Sequence, residues 1–518
     1  MTDAETAIGA CPSAGAARCA ADPQRRSACA ASVRGRIALA LIAGSITLIV
    51  LVGSLGPSAA EAPLPGRVVS APFWFSVSPP AWLVTLLADL ALGFGAAGLL
   101  CARSALGRGW APSLRALIAG SYAACGAMVL VPPMLSADHL VYAAYGRLVT
   151  TGGDPYTQTA RTLAAHGDPI GLAVQPPWTN TSSVYGPIAT GEQALASWIG
   201  RASVHTTVFV LALLGAAAYL AMGAMLRRIG DPVRVTVLFG LNPLLLLETV
   251  NAAHLDAFAV CFAVAALYVL HVRRDARGAA LAGALAGLGC AVKLSLGLAV
   301  LAGLWGLRRR PRDAAFFVLC AALAGALAYL PYGGTALRPA REAARMVSLG
   351  SAWRPLLAPL QRALGDSTAR DLISVLGWLT VLLIIVSLAP LLRIGSGRAA
   401  EDAPGAHAAR ALALLGLAWV LAAPYTLPWY DIVAWAPLVA CAAGPLDPLL
   451  TARTTLLGAA YVPGLDVPLP SGVAGWATWI RADAAPVFSI AALSACVALG
   501  IRRRVARGRA PTSPVSGG

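Results

Sequence analysis

The sequence predicts an all-α polytopic membrane protein, and three observations carry that class. Of 518 residues, 58% are hydrophobic and 12% charged, far from the soluble globular range. Apolar runs near the roughly 17 to 25 residues that a helix needs to cross hydrocarbon recur along the chain, bounded by charge or by Pro and Gly. These runs are continuous and do not alternate, which favours helices over a β-barrel.

Taken in order, the predicted spans are 37–55, 81–102, 114–133, 204–226, 233–250, 257–272, 279–292, 294–307, 313–332, 371–392, 409–423, 432–444, 449–463 and 483–501. Several are shorter than a bilayer requires, so the expected number is about 12 to 14. Residues 1–36 form a basic tail expected to be disordered, too long a polar leader for a typical cleaved signal peptide, so the first span is expected to remain as an anchor. Residues 502–518 form a second basic tail.

The net charge of +16 does not mark a nucleic-acid surface, because the arginines gather in short clusters between spans. Arg25, Arg26, Arg34 and Arg36, then Arg227 and Arg228, then Arg273, Arg274 and Arg277, then Arg308, Arg309, Arg310 and Arg312, and finally Arg502, Arg503 and Arg504 follow the positive-inside pattern. With all of them cytoplasmic, both termini are inside. The long loops 56–80, 134–203 and 333–370 then lie outside. Ten cysteines fall in the N-terminal tail or in and beside apolar spans, without metal-type spacing, and read as packing residues.

Loop 134–203 is the largest and opens with "ADHLVYAAYGRL", predicted as a short interfacial helix with Asp138, Tyr142, Tyr145 and Val149 on one face. It should end at Gly152 and Gly153, and Pro155 holds Asp154 extended. Asp138 is the leading candidate for chemistry, against the simpler role of capping that helix. In "ETVNAAHLDAF", Glu248, His254 and Asp256 gather at a tight turn between spans, where ionisable groups are costly and face a cavity or a partner. Lys293, the only lysine among 39 basic residues, lies at another turn between two short apolar segments. A compact ammonium there suits an anion such as a lipid phosphate, or else snorkels to headgroups. Trp429 and Tyr430 read first as an aromatic belt and second as a sugar platform. The stretch 340–364, with Arg341, Arg345 and Arg354, reads as an amphipathic surface segment. Asp89, alone in mid-span, reads as a helix-pairing residue.

The stretches "YAAYGRLVTTGGDPY", "SSVYGPIAT", "LNPLLLLETVNAAHLDAF" and "GCAVKLSLGLAV", in this order, resemble the polyprenol-phosphomannose-dependent α-1,6-mannosyltransferases of the GT-C superfamily over about residues 110 to 440. The resemblance implies a GT-C-type bundle with its active site on the outer face of a bacterial-type plasma membrane. It implies a polyprenyl-phosphate sugar donor and a glycan or glycolipid acceptor for cell-envelope glycan synthesis. The general base of GT-C enzymes, an acidic residue in an outer loop, corresponds to Asp138, with Asp154 as second candidate. That loop usually follows the first span, whereas here two further spans precede it, so either the chain has an N-terminal extension or the catalytic loop lies elsewhere.

On this reading Asp138 takes the acceptor proton, while Lys293, with Arg147 or His254, steadies the departing phosphate. Asp256, His139, Tyr142 and Tyr145 complete the donor side. Tyr156, Trp178 and Tyr185, with Asp154, Trp429 and Tyr430, hold the acceptor or order the loop. No cofactor is expected; Asp138–His139 and His254–Asp256 are ligand types that a divalent metal would also accept. The rivals are a secondary transporter or lipid flippase, and a ligase or polymerase that uses a lipid-diphosphate donor.

Overall fold

The computed structural model describes residues 23–65, 70–390 and 403–508, and no β-strand occurs among them. The remaining residues of the predicted tails, with Cys11 and Cys19, lie outside the described residues, as do 66–69 of the first long loop.

The helices that matter for the site are α1 (Pro23–Ser54), α2 (Ala81–Leu106), α3 (Leu114–Val129), α4 (Asp138–Thr150), α5 (Pro187–Gly200) and α6 (Val204–Ile229). They are followed by the bent pair α7 (Pro232–Gly240) and α8 (Pro243–Asn251), then α9 (Asp256–Val272), α10 (Ala276–Val292), α11 (Leu294–Leu307) and α12 (Pro311–Tyr329). The C-terminal part comprises α13 (Arg354–Leu364), α14 (Asp366–Leu388), α15 (Pro404–Ala422), α16 (Ile432–Ala440), α17 (Leu446–Tyr461) and α18 (Ser471–Arg503). α1, α2, α6, α12, α14, α15 and α18 are each long and apolar enough to cross a membrane, and α7–α8 qualifies as one broken span. The first helix starts at Pro23, so residues 23–36 of the predicted tail continue the first span.

Local chemistry explains many of the boundaries. Ser113, Ser203 and Asp275 accept hydrogen bonds from backbone amides in the first turns of α3, α6 and α10, satisfying donors that a helix start leaves free. Pro187, Pro311 and Pro404 open α5, α12 and α15, positions where the missing N–H costs nothing. Between α7 and α8, Asn242 and Pro243 break the run and bend it by 42°; the Asn242 side chain accepts from the amides of Leu244 and Leu245. Both halves carry π-helical turns, at Thr236–Gly240 and Leu246–Asn251.

Small residues set the closest packing. Gly283 and Gly287, one turn apart on α10, bring that helix so near α12 that a Cβ would fall about 2 Å from the carbonyl oxygens of Phe317 and Ala321, the backbone approach that small-xxx-small patterns allow. Asp89 of α2 accepts a 2.9 Å hydrogen bond from Trp476 Nε1 of α18, the helix pairing expected of it. Cys101, Cys125, Cys261, Cys290, Cys320, Cys441 and Cys496 are free thiols.

Two further expectations change. The apolar run 432–444 forms α16, nine residues long, or roughly 14 Å at 1.5 Å per residue. Residues Ile432–Val439 are all buried, so that run is apolar because protein surrounds it, and hydropathy does not separate that case from lipid. Likewise α4 does not lie along an interface: its residues from His139 to Gly146 are buried, because α5 and α6 cover it. Tyr142 and Tyr145 point into protein, each 2% exposed.

Candidate active site

Four turns at one rim of the bundle bring most of the candidates together: the start of α4, the α8–α9 turn, the α10–α11 turn and the 3₁₀ turn Pro428–Asp431. Asp138 is the first residue of α4. It does not cap the helix; its own amide donates to Ser136 Oγ at 3.1 Å, which leaves the carboxylate free to face the cluster. Asp138 Oδ2 lies 3.5 Å from the Tyr142 hydroxyl and 3.7 Å from His254 Nε2. Tyr142 and Tyr185 join hydroxyls at 3.2 Å, with their rings edge to face. The Asp138 side chain keeps 19% of its surface accessible. Burial pushes its carboxyl up to about 6, against the opposing influence of Ser136 and the Lys293 charge.

His254 is fixed in one tautomer. Its Nδ1 lies 2.6 Å from the Glu248 carbonyl oxygen, which can only accept, so Nδ1 carries the proton and Nε2 presents a lone pair. Burial pushes the ring down to about 3, so it is neutral near pH 7. The imidazole stacks on Trp429 with centroids 3.7 Å apart. Two proton acceptors, Asp138 Oδ2 and His254 Nε2, thus face each other 3.7 Å apart, and among the described residues no donor reaches Nε2.

Lys293 follows the last residue of α10. Its ammonium donates to Asp256 Oδ1 at 2.7 Å and sits 3.6 Å above the centre of the Tyr430 ring. Asp256, the first residue of α9, is 2% exposed and its Oδ2 has no partner among the described residues. The ammonium is therefore held by one carboxylate and one aromatic face, with further N–H capacity left over.

Other predicted residues lie apart from the cluster or serve the loop. Asp154 accepts from the Tyr156 amide and the Thr157 hydroxyl and so orders its own turn. The Tyr156 hydroxyl pairs with Thr190 at 2.8 Å and its ring meets Tyr332. Tyr145 donates to the Thr181 carbonyl. Trp178 stands on a 3₁₀ turn, partly exposed. His139 is fully buried, and burial pushes it down to about 3. Arg147 stands apart from the cluster: it pairs with Asp168 at 2.7 Å, nine residues along α4 from Asp138, or roughly 13 Å.

Several residues that position the site escaped the sequence reading. Asn251 donates both amide hydrogens, to the carbonyls of Met128 and Pro132 at 3.1 Å, tying the His254 turn to the segment that carries Asp138. Behind Trp429 and Tyr430, the fully buried Arg453 binds Asp431 at 2.9 Å and Thr426 at 2.6 Å, and Thr454 donates to the other Asp431 oxygen. A polar residue inside an apolar run was the only signal available for either group.

The "SSVYGPIAT" stretch owes its place to Gly186. Its amide donates to the Val292 carbonyl at 2.9 Å, and a Cβ there would lie 2.1 Å from the Ala291 carbonyl oxygen. Only glycine lets Tyr185 and the Lys293 turn meet. Gly186→Ala is expected to destabilise the protein by about 1–3 kcal/mol, the usual cost of overpacking, and to reduce activity with it. Thermal unfolding of the purified protein reads this; an unchanged midpoint with unchanged activity would show that the contact does not matter.

Among the described residues, no three His, Cys, Asp or Glu side chains lie close enough together to hold a metal ion.

The fold and the rim cluster define a class: a multi-pass membrane protein with a nearly closed polar site where helix turns meet at one edge of the bundle. Residues 41–329, more than half of the chain, match the family model described as alpha-(1->6)-mannopyranosyltransferase, N-terminal domain, and the chain belongs to that family. Asp138, Tyr142, Tyr185, His254, Asp256 and Lys293 all fall inside the matched segment. Alpha-(1->6)-mannopyranosyltransferase A of Corynebacterium glutamicum is 34% identical over 124 residues, which cover 24% of this chain and 23% of that protein; the match thus spans about a quarter of the relative's length. Two structures of the Archaeoglobus fulgidus oligosaccharyltransferase, one in the apo form and one in complex with an inhibitory peptide and a dolichol-phosphate, align at 12% identity with TM-scores of 0.37 and 0.36, over 74% of this chain and 56% of theirs.

Proposed function

We propose that this protein transfers a mannosyl residue from a polyprenyl-phosphate donor to a hydroxyl of a glycan or glycolipid acceptor, by single inverting displacement at the outer face of the membrane. The observation that carries the proposal is the Asp138 carboxylate, partly accessible and facing His254 and Tyr142 in the same rim cluster as Lys293. An acceptor hydroxyl has a pKa far above 7 and needs a base within hydrogen-bond reach as it attacks the anomeric carbon. Asp138 accepts that proton. The leaving phosphate gains charge, which Lys293 stabilises at a site of low dielectric. A β-linked donor then gives an α-linked product. The lipid-linked sugar arrives already activated.

The helix termini support the outer placement. Asp256 begins α9 and Lys293 follows α10, while Arg273, Arg274 and Arg277 lie at the opposite ends of these 17-residue helices, roughly 26 Å away. Arg227 and Arg228 end α6, and Arg308, Arg309 and Arg310 follow α11, again at the ends remote from the site. With these clusters cytoplasmic, the cluster around Asp138 faces the other side.

The test is transfer by membranes that contain the protein, supplied with radiolabelled polyprenyl phosphomannose and a short α-1,6-mannoside. Label in a lengthened glycan supports the proposal. No label with this donor, but product from a lipid-diphosphate glycan, or donor-independent lipid movement, would replace it.

The raised Asp138 carboxyl sets a pH dependence. The base is active only when ionised, so kcat/KM should climb as pH rises through about 6 and level off above 7. A profile flat from pH 5 to 8 would argue against Asp138 as the base.

A further inference from the structure

At the far end of α4 from Asp138, a groove of about 390 Å³ is lined by Arg147, Thr150, Ser197, Trp198, Ile199 and Arg201. The catalytic cluster makes no use of it. Its walls differ in character. On one side Arg147 is held through Nε by Asp168, which is itself anchored by the amides of Ile170 and Gly171; among the described residues no partner takes the terminal nitrogens of that guanidinium. The floor carries the hydroxyl pair Thr150–Ser197 at 3.0 Å. On the other side stands Arg201, exposed and without a carboxylate partner among the described residues. Its backbone adopts φ 53°, a left-handed conformation that is costly for a residue with a Cβ.

The outer edge of the groove is apolar. Trp198 is 71% exposed and Ile199 47%. Three residues beyond Arg201, α6 begins, one of the helices long enough to cross the membrane. An exposed tryptophan beside a pair of arginines at the mouth of a spanning helix matches the headgroup level of a bilayer, where indole straddles the boundary and guanidinium meets phosphate. With Asp168 counted against the two arginines, the groove keeps a net positive charge, so an anionic occupant is favoured over a zwitterionic one.

We propose that this groove binds the phosphate headgroup of an anionic membrane phospholipid, with Arg147 and Arg201 on the phosphate, Thr150 and Ser197 beneath it, and Trp198 and Ile199 against the first acyl carbons. The inference rests on the chain spanning a membrane and not on the transfer reaction.

The test uses the purified full-length protein in micelles doped with phosphatidylglycerol or phosphatidylcholine brominated on the acyl chains, read by quenching of tryptophan fluorescence. Phosphatidylglycerol should quench at lower mole fraction than phosphatidylcholine, and Trp198→Phe should remove part of that quench. Arg201→Gly is the informative variant, because glycine accepts the backbone conformation and the protein should melt no lower than the wild type. It should weaken the phosphatidylglycerol response about fivefold, as expected for one basic residue at an anionic surface, and leave the phosphatidylcholine response unchanged. Asp138→Asn should bind both lipids as the wild type does, which separates this result from any failure of the transfer proposal. Equal quenching by the two lipids, an unaltered response in folded Arg201→Gly, a quench indifferent to Trp198, or displacement by millimolar inorganic phosphate, which would indicate a free-anion site, would each overturn it.

Discussion

Asp138→Asn is expected to lower the rate of mannosyl transfer by about 10²–10⁴-fold, the range that a positioned general base contributes. The substitution is nearly isosteric. The backbone amide still donates to Ser136 Oγ, and the Tyr142 hydroxyl still finds an oxygen on residue 138, so the start of α4 and the stability of the protein should be unchanged. The loss should fall on kcat, with KM for the lipid donor little altered, because the proton is accepted only as the acceptor oxygen attacks. The pH dependence near 6 should vanish with the carboxylate. Transfer within a few-fold of the wild type, measured with saturating donor, would remove Asp138 from this role and direct attention to His254 Nε2 beside it.

Lys293 carries the second large effect. The side chains of Lys293 and Asp256 are 13% and 2% exposed, so Lys293→Met leaves a buried carboxylate without its counter-charge. Breaking one side of such a pair typically costs about 3–5 kcal/mol. Loss of activity in that variant alone would therefore be ambiguous between unfolding and chemistry. Lys293→Met combined with Asp256→Asn removes both charges and should recover most of the stability. Transfer should stay at the level of the single variant, because nothing then meets the phosphate as it departs. A double variant that regains transfer would show that the ammonium serves only to neutralise Asp256; a single variant as stable as the wild type would show that Asp256 is not held ionised by this pair.

The parts of this site that could be read in advance share a feature. Asp138, His254, Asp256 and Lys293 each interrupt an apolar stretch, and polar groups at such places are costly unless partnered. Their partners could not be read. That His254 stacks on Trp429, or that Tyr430 underlies Lys293, joins positions 175 and 137 residues apart, respectively. Nothing in the local sequence marks Asn251 or Arg453 as clamps, yet their hydrogen bonds, Arg453's to Asp431 included, hold the turns in register. Arg147 illustrates the converse. It shares a helix with Asp138, but nine residues of rise carry it to a different groove, and Asp168 claims it.

What the chain determined by itself was its solvent and its alternation: continuous apolar runs demand helices in lipid, and clusters of arginine recur between them. The tertiary structure alone decided which helices meet lipid and which meet protein, as in α4 and α16, whose apolar residues carry the same hydropathy in either setting. It also decided that four turns separated by as much as 290 residues share one rim, because close backbone approaches at Gly186, Gly283 and Gly287 and the clamps of Asn251 and Arg453 depend on partners that local sequence does not name.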